Sequence, residues 1–215
     1  MHDIRLSNED IMAKQEERAE RNRSRLSEYD VRAYNILGAI GSGKTALIEA
    51  MAEELKSDLA VGAVAGDVAG DDDYRRFREA GIPSYNLNTS SDCHLDAHLV
   101  EHSLDSLPLD DLDVLFIENV GNLVCPADFP LGTDSDVVVI SVTEGEDMVR
   151  KHPKIFSQTD LVVINKIDLA EIIGVDPEVP RDDYMDINPN GNVIFSVATE
   201  GRGVRELIQL LELRP

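Results

Sequence analysis

From Tyr29 onward the chain alternates short apolar runs with segments of helical length and mixed polarity. Seven runs have strand length, at 34–37, 59–65, 84–87, 114–117, 137–142, 161–164 and 193–195. Gly, Asp or Asn closes them, and helices are predicted to follow near 44–56, 71–80, 94–105, 147–157 and 203–213. Near-continuous apolar runs separated by helices suit strands buried on both faces, because a parallel neighbour is reached only through a crossover. The pattern predicts a three-layer α/β fold, a mostly parallel sheet of about seven strands with helices on both faces. Residues 174–191, which carry Pro177, Pro180 and Pro189, read as an irregular connection with at most a short helix.

Residues 1–30 break this rhythm. Ile4, Ile11 and Met12 are too sparse to form an apolar stripe, while Ser7 or Asn8 is a plausible cap before a helix. This stretch reads as a charged helical arm in need of a partner surface, and 31–215 as one domain with a single substantial core. Met1 to Lys14 mixes charges throughout, and no run reaches the roughly 18 apolar residues that a membrane span requires. A cytoplasmic protein with no membrane partner is expected. With 20 Lys and Arg against 42 Asp and Glu, the net charge is −22, which repels backbone phosphates and argues against a nucleic-acid partner. Adaptation for solubility or high salt is the plain explanation of that charge, and cation traffic the sharper one.

Residues 38–45, Gly-Ala-Ile-Gly-Ser-Gly-Lys-Thr, fit the G-x-x-x-x-G-K-S/T pattern, follow an apolar strand and open a helix. Glycines let the backbone turn its amides around phosphates, and the helix N-terminus adds positive partial charge at the same spot. The binding stretch is Gly41, Ser42, Gly43, Lys44, Thr45 and Ala46; Lys44 would neutralise β and γ oxygens, and the Thr45 hydroxyl would face magnesium. The fold expectation thereby narrows to a P-loop nucleotide hydrolase. Magnesium also needs an acid on a neighbouring strand. Glu118 supplies one after the apolar run 114–117, with Gly121 placed to sense a γ-phosphate; a strand-end carboxylate facing water is the alternative. Asp67, at the end of the second strand, is the other candidate for magnesium or water positioning. Lys44, Asp67 and Glu118 are thus the catalytic candidates, while the acidic run 71–73 reads as a solvated helix start.

Asn165-Lys166-Ile167-Asp168 follows the strand 161–164 and resembles the N-K-x-D base motif of GTPases. A carboxylate at Asp168 can accept from both the ring NH and the exocyclic amine of guanine, whereas adenine would leave buried polar groups unpaired. Asn165 would brace neighbouring loops and the Lys166 stem would lie over the base. Ser196 and Val197, just after the last strand, stand where a backbone amide reads the guanine oxygen.

Cys93, His94 and Cys125 provide two thiolates and an imidazole, a ligand set for zinc or nickel; simple burial is the alternative. Cys93 is expected to open the helix 94–105, and Cys125 lies four residues beyond Gly121, so metal and nucleotide would be coupled. His98 and His102 continue from His94 at helical spacing and read as surface or core residues.

Several stretches together resemble the nickel-incorporation GTPases of hydrogenase maturation, the HypB family, in its short archaeal-type form, within the SIMIBI class that also holds the urease accessory GTPase UreG. They are residues 38–45, Cys-His-Leu-Asp-Ala-His from Cys93, Glu-Asn-Val-Gly-Asn-Leu-Val-Cys-Pro from Glu118, Thr-Glu-Gly-Glu-Asp from Thr143, Lys151-His152-Pro153, and 165–168. The resemblance implies slow GTP hydrolysis to GDP, nickel delivery to a hydrogenase precursor with an accessory nickel protein, and a GTP-dependent homodimer. It also implies that Cys93, His94 and Cys125 hold Ni2+ or Zn2+ near the dimer interface, that Thr45, Asp67 and Glu118 serve Mg2+, and that Lys151 reaches the partner's guanine. The N-terminal Cys-x-x-Cys-Gly-Cys motif and histidine-rich tract of some bacterial members are missing from this sequence, which speaks against nickel storage in the arm. Other readings are a GTP-regulated interaction module with structural zinc, a urease-accessory-like nickel GTPase, and a kinase using ATP.

Overall fold

The computed structural model describes residues 8–90 and 92–213, apart from the side chains of 8–11, 126 and 127. Ile4 and Ser7, and the side chains of Asn8 and Ile11, therefore lie outside the described residues. Seven strands form one sheet: β1 Arg32–Gly38, β2 Val61–Asp67, β3 Ser84–Asn88, β4 Val114–Glu118, β5 Ser135–Ser141, β6 Leu161–Asn165 and β7 Asn192–Ser196. Their spatial order is β3-β2-β4-β1-β5-β6-β7, and every pairing is parallel. With all strands running one way, Gly38, Asp67, Glu118, Asn165 and Ser196 gather at one edge of the sheet. The chain leaves β1 toward β2 and β3, then returns for β4 and crosses to β5, so β1 is the switch point where α/β sheets open a crevice.

The helices are α1 Asn8–Glu28, α2 Lys44–Leu55, α3 Asp72–Glu79, α4 Ala97–Ser106, α5 Met148–Lys151, α6 Pro153–Ser157, α7 Ala170–Ile173, α8 Glu178–Ile187 and α9 Val204–Leu210. On one face α2, α3 and α9 bury Leu47, Met51, Phe77 and Leu207 against Ile36 and Phe116. On the other, α1 and α4 cover one half of the sheet, while α5, α6 and α8 cover β5 and β6. Each fully buried Leu, Ile or Phe contributes about 1.5–3 kcal/mol, so the layers are held by the apolar faces that the alternation displays. Among the described residues no helix is long and apolar enough to cross a membrane.

The structure corrects the predicted elements in three places. The helix expected at 147–157 is two short ones, because Pro153 lacks an N–H and its ring crowds the preceding turn, leaving His152 at φ −127° between them. The connection 174–191 holds a ten-residue helix, α8. Pro180 falls in its first turn, where an N–H has no intrahelical partner, so the proline costs little there. Tyr184 secures it: the side chain is fully buried and its hydroxyl donates to the Thr159 carbonyl at 2.7 Å. Finally, α4 begins at Ala97 with Asp96 as its cap, accepting from the Leu99 N–H at 2.9 Å, so Cys93 lies in the preceding loop.

The arm finds its surface on the same chain. Helix α1 packs on α4, and Asn22, 1% exposed, donates to the carbonyls of Ala97 at 2.8 Å and Leu131 at 3.0 Å. Gln15 reaches Asp96 at 3.1 Å and Arg25 reaches Asp105 at 2.6 Å.

Candidate nucleotide and metal site

Strand β1 ends at Gly38, the loop turns, and α2 starts at Lys44 directly beneath it. Gly43 adopts φ 100°, and a Cβ there would lie 2.2 Å from Asn165 Nδ2, so only glycine lets the loop approach β6 this closely. Lys44 is buried; its ammonium donates to the carbonyls of Gly38 at 3.3 Å and Ala39 at 3.2 Å and sits 3.9 Å from Glu118 Oε1. Ser42 is buried with no partner for its hydroxyl, and Ala46 is partly buried on the first turn of α2.

Thr45 Oγ1 lies 3.0 Å from Glu118 Oε1 and 2.7 Å from Asp73 Oδ1. A hydroxyl carries one hydrogen and cannot donate to two carboxylates at once. The cluster therefore needs a proton on one acid or a cation between them. Glu118 is 3% exposed, its Oε2 has no partner, and burial pushes the carboxyl up to about 7 against the pull of Lys44. A hard divalent cation with its water shell fits this donor set of one hydroxyl and two acids. Asp73, read from the sequence as a solvated helix start, is thus a functional candidate that the sequence reasoning missed. Its signal was faint: it is one of three consecutive acids, and only the path of the loop after β2 aims it at Thr45. Asp67 is placed otherwise; its Oδ1 accepts from the Val68 N–H at 2.6 Å, within its own loop.

At the base motif, Asn165 is buried and ties three segments together. Its Nδ2 donates to the Ser42 carbonyl at 2.9 Å, and its Oδ1 accepts from Ser196 Oγ at 2.9 Å and the Ala198 N–H at 3.1 Å. Lys166 takes a left-handed backbone, φ 61°, which throws its side chain across the phosphate loop to donate to the Gly41 carbonyl at 2.7 Å. Asp168 is exposed in the turn that follows. The amides of Val197 and Ala198 are engaged with the Arg202 carbonyl and Asn165, leaving neither as a ready donor to the base. Lys151 pairs with Asp147 at 2.7 Å on the surface. A second missed acid, Glu144, has a buried carboxylate; burial lifts it to about 7, opposed first by a hydrogen bond from the Ser141 backbone, then by Lys44 and Lys166.

The soft ligands converge in the fold. Ligand atoms of Cys93, His94 and Cys125 lie within 4.8 Å of one another, with the two sulfurs 2.8 Å apart. The hydrogen bond to the Cys125 sulfur pushes the Cys93 thiol up by holding its proton, and burial and the repulsion of two adjacent thiolates add to this. A tetrahedral ion would spread the sulfurs to about 3.8 Å and supply the missing positive charge. Burial lowers His94, favouring the neutral imidazole that binds metals, and its ring stacks on Phe129 at 3.7 Å. His98 and His102 pair with each other on the face of α4, 4.6 Å between ring centres, outside this group.

One loop joins the two sites. It leaves β4 at Glu118, bridges Gly38 through Asn122, and reaches Cys125. A Cβ on Gly121 would lie 2.3 Å from the side chain of Ile40, so the loop rests directly on the phosphate loop.

Residues 32–195 match the family described as CobW/HypB/UreG, nucleotide-binding domain. The chain is 46% identical over 203 residues to the probable hydrogenase maturation factor HypB of Methanocaldococcus jannaschii, covering 94% of this chain and 92% of that protein. Among solved structures, the hydrogenase maturation factor HypB from Archaeoglobus fulgidus superposes with a TM-score of 0.86 at 47% identity, covering 93% of this chain and 98% of the other. HypB from Helicobacter pylori, solved in complex with nickel, superposes with a TM-score of 0.88 at 30% identity, covering 93% and 94%.

Proposed function

Because the chain belongs to the HypB family of hydrogenase maturation factors, we propose that it is a GTP-hydrolysing metallochaperone that delivers nickel to a hydrogenase precursor. The observation that carries this reading is the single loop that starts at Glu118, beside Lys44 and Thr45, and ends at Cys125, 2.8 Å from the Cys93 sulfur. Nickel is the cargo, held by Cys93, His94 and Cys125, a set that also suits Zn2+.

Guanine is selected by Asp168, with Asn165 fixing the loop geometry and Lys166 covering the base; Ser196 and Val197 shape the far wall. The phosphates lie over the amides of Gly41, Ser42, Gly43, Lys44, Thr45 and Ala46, and Lys44 neutralises charge on the β and γ oxygens as water displaces GDP. Bound Mg2+ would add charge neutralisation at those same oxygens, and Thr45, Glu118 and Asp73 would hold it, with Asp67 close enough in sequence to orient water. Turnover is slow, because no glutamine or arginine among the described residues is committed to the γ-phosphate.

GTP promotes a homodimer in which Lys151 approaches the partner's guanine, and an accessory nickel protein and the hydrogenase precursor are the further partners. Within the arm 1–30, helix α1 serves the domain 31–215 by bracing α4 through Gln15, Asn22 and Arg25, and the protein works in the cytoplasm. Titration of Ni2+ with a GTP analogue and with GDP, with oligomeric state followed in parallel, tests the reading. Different affinities in the two states, lost in Cys125→Ala, are expected; equal affinities would refute it.

A further inference from the structure

The segment that carries Cys93 and His94 has no regular structure of its own, yet two side chains from the 118–125 loop grip it. Asn119 is 1% exposed, and its Oδ1 accepts from the N–H groups of Leu95 and Val120, both at 3.0 Å. Its Nδ2 donates to Asn35 Oδ1 at 3.1 Å, and Asn35 in turn donates to Asp136 at 3.0 Å on β5. One side of Asn119 is therefore anchored in the sheet, and the other holds the backbone next to His94. Asn122 is built in the same manner at the surface. Its backbone bridges Gly38, where β1 enters the phosphate loop, and its Nδ2 donates to the Cys93 carbonyl at 3.1 Å.

We propose that Asn119 and Asn122 are the positioning residues through which the state of the nucleotide reaches the metal-binding sulfurs. The inference rests on the metallochaperone reading and adds the physical link that reading lacks. A covalent path from Glu118 to Cys125 moves only one of the two cysteines when the loop shifts. Asparagines that bond to the Leu95 N–H and the Cys93 carbonyl make the other cysteine and the histidine follow, so the three ligands move as a set. Burial makes the Asn119 link costly to stretch, because its loss strands two N–H groups and the Asn35 oxygen away from water. A discrete change of the loop is then transmitted whole, which is what two coupled sites require.

The experiment is the Ni2+ titration of the full chain at saturating GTP analogue and at saturating GDP, in wild type, Asn119→Ala and Asn122→Ala. The quantity read is the ratio of the two affinities, which for coupled sites is about 5- to 150-fold. Asn119→Ala is expected to bring the ratio toward one, and Asn122→Ala to reduce it at least about threefold, roughly half of one decade in binding. The reciprocal measurement, the effect of Ni2+ on the affinity for the GTP analogue, should fall by the same factor. A purely structural role would weaken nickel equally in both nucleotide states and leave the ratio intact; that outcome overturns the inference. Asn122 lies partly exposed, so its variant keeps the test in force where Asn119→Ala does not fold. A wild-type ratio of one would instead sink the metallochaperone reading itself, and the inference with it.

Discussion

The two ends of the 118–125 loop are built on different principles. Glu118 ends a strand paired on both sides, to Ile36 of β1 and Ala65 of β2, and is almost fully enclosed. Cys125 sits in a short turn at the surface, opposite an exposed Cys93, and side-chain bonds such as that of Asn122 to the Cys93 carbonyl hold the pair in place where no strand pairing does. A sheet-anchored end holds the Glu118 carboxyl in a fixed place beside Lys44 and Thr45. The looser end can change sulfur geometry at small cost, because regular hydrogen bonding need not be broken. Rigid reading and adjustable holding are thus divided between the termini of one loop.

The largest effect is expected outside this loop, at the base motif that follows β6. Asp168→Asn should lower GTP affinity by about 10^4-fold and favour xanthosine triphosphate, since a paired donor–acceptor set is inverted; unchanged GTP binding by calorimetry would remove the guanine assignment. Next is Glu118. Its folded carboxyl keeps a proton up to about 7, above the ordinary 4.5, so its contribution to stability is complete below 4.5 and lost as pH rises through 7. Glu118→Gln should therefore raise the Tm of the nucleotide-free protein at pH 8, by up to about 3 kcal/mol of stability, and change it little at pH 4. A variant that melts below wild type at pH 8 would contradict the buried-charge argument.

At the adjustable end, Cys125→Ala removes a direct ligand and should weaken Ni2+ binding by more than the roughly tenfold to 100-fold that loss of an outer-shell partner costs, while leaving GTP affinity without metal nearly unchanged. Loss of GTP binding in that variant would show that the loop is not divided as described. The smallest effect concerns the brace behind the metal segment. Asn22→Ala leaves the Leu131 carbonyl without its partner, removes a second donor from the Ala97 carbonyl, and should cost about 1–3 kcal/mol in urea unfolding; a neutral result would show that α1 does not secure α4.

Most of the sheet was legible because its signal is local: apolar runs of strand length bounded by Gly, Asp or Asn place all seven strands within about two residues, β2 being displaced from 59–65 to Val61–Asp67. The phosphate loop and Glu118 were legible for the same reason, as each follows such a run. What escaped depends on three-dimensional paths. Asp73 looks like any acid at a helix start until the chain curls toward Thr45. Helix α1 is docked by Asn22 and Gln15, and polar pegs leave no apolar stripe to read. The breaks at Pro153 and Asp96 moved Cys93 and Lys151 off the longer helices expected for them, because a cap or a proline outranks periodicity at helix ends.

One hydroxyl between two acids has a further meaning. Thr45 offers a single hydrogen to Glu118 and Asp73, and Glu118 holds a proton near neutrality. On the magnesium role proposed for this cluster, a cation seated there would take over the neutralising role and send the proton to solvent. Loading would then exchange a metal ion for a hydrogen ion, with acidity of the medium a competitor for the same seat.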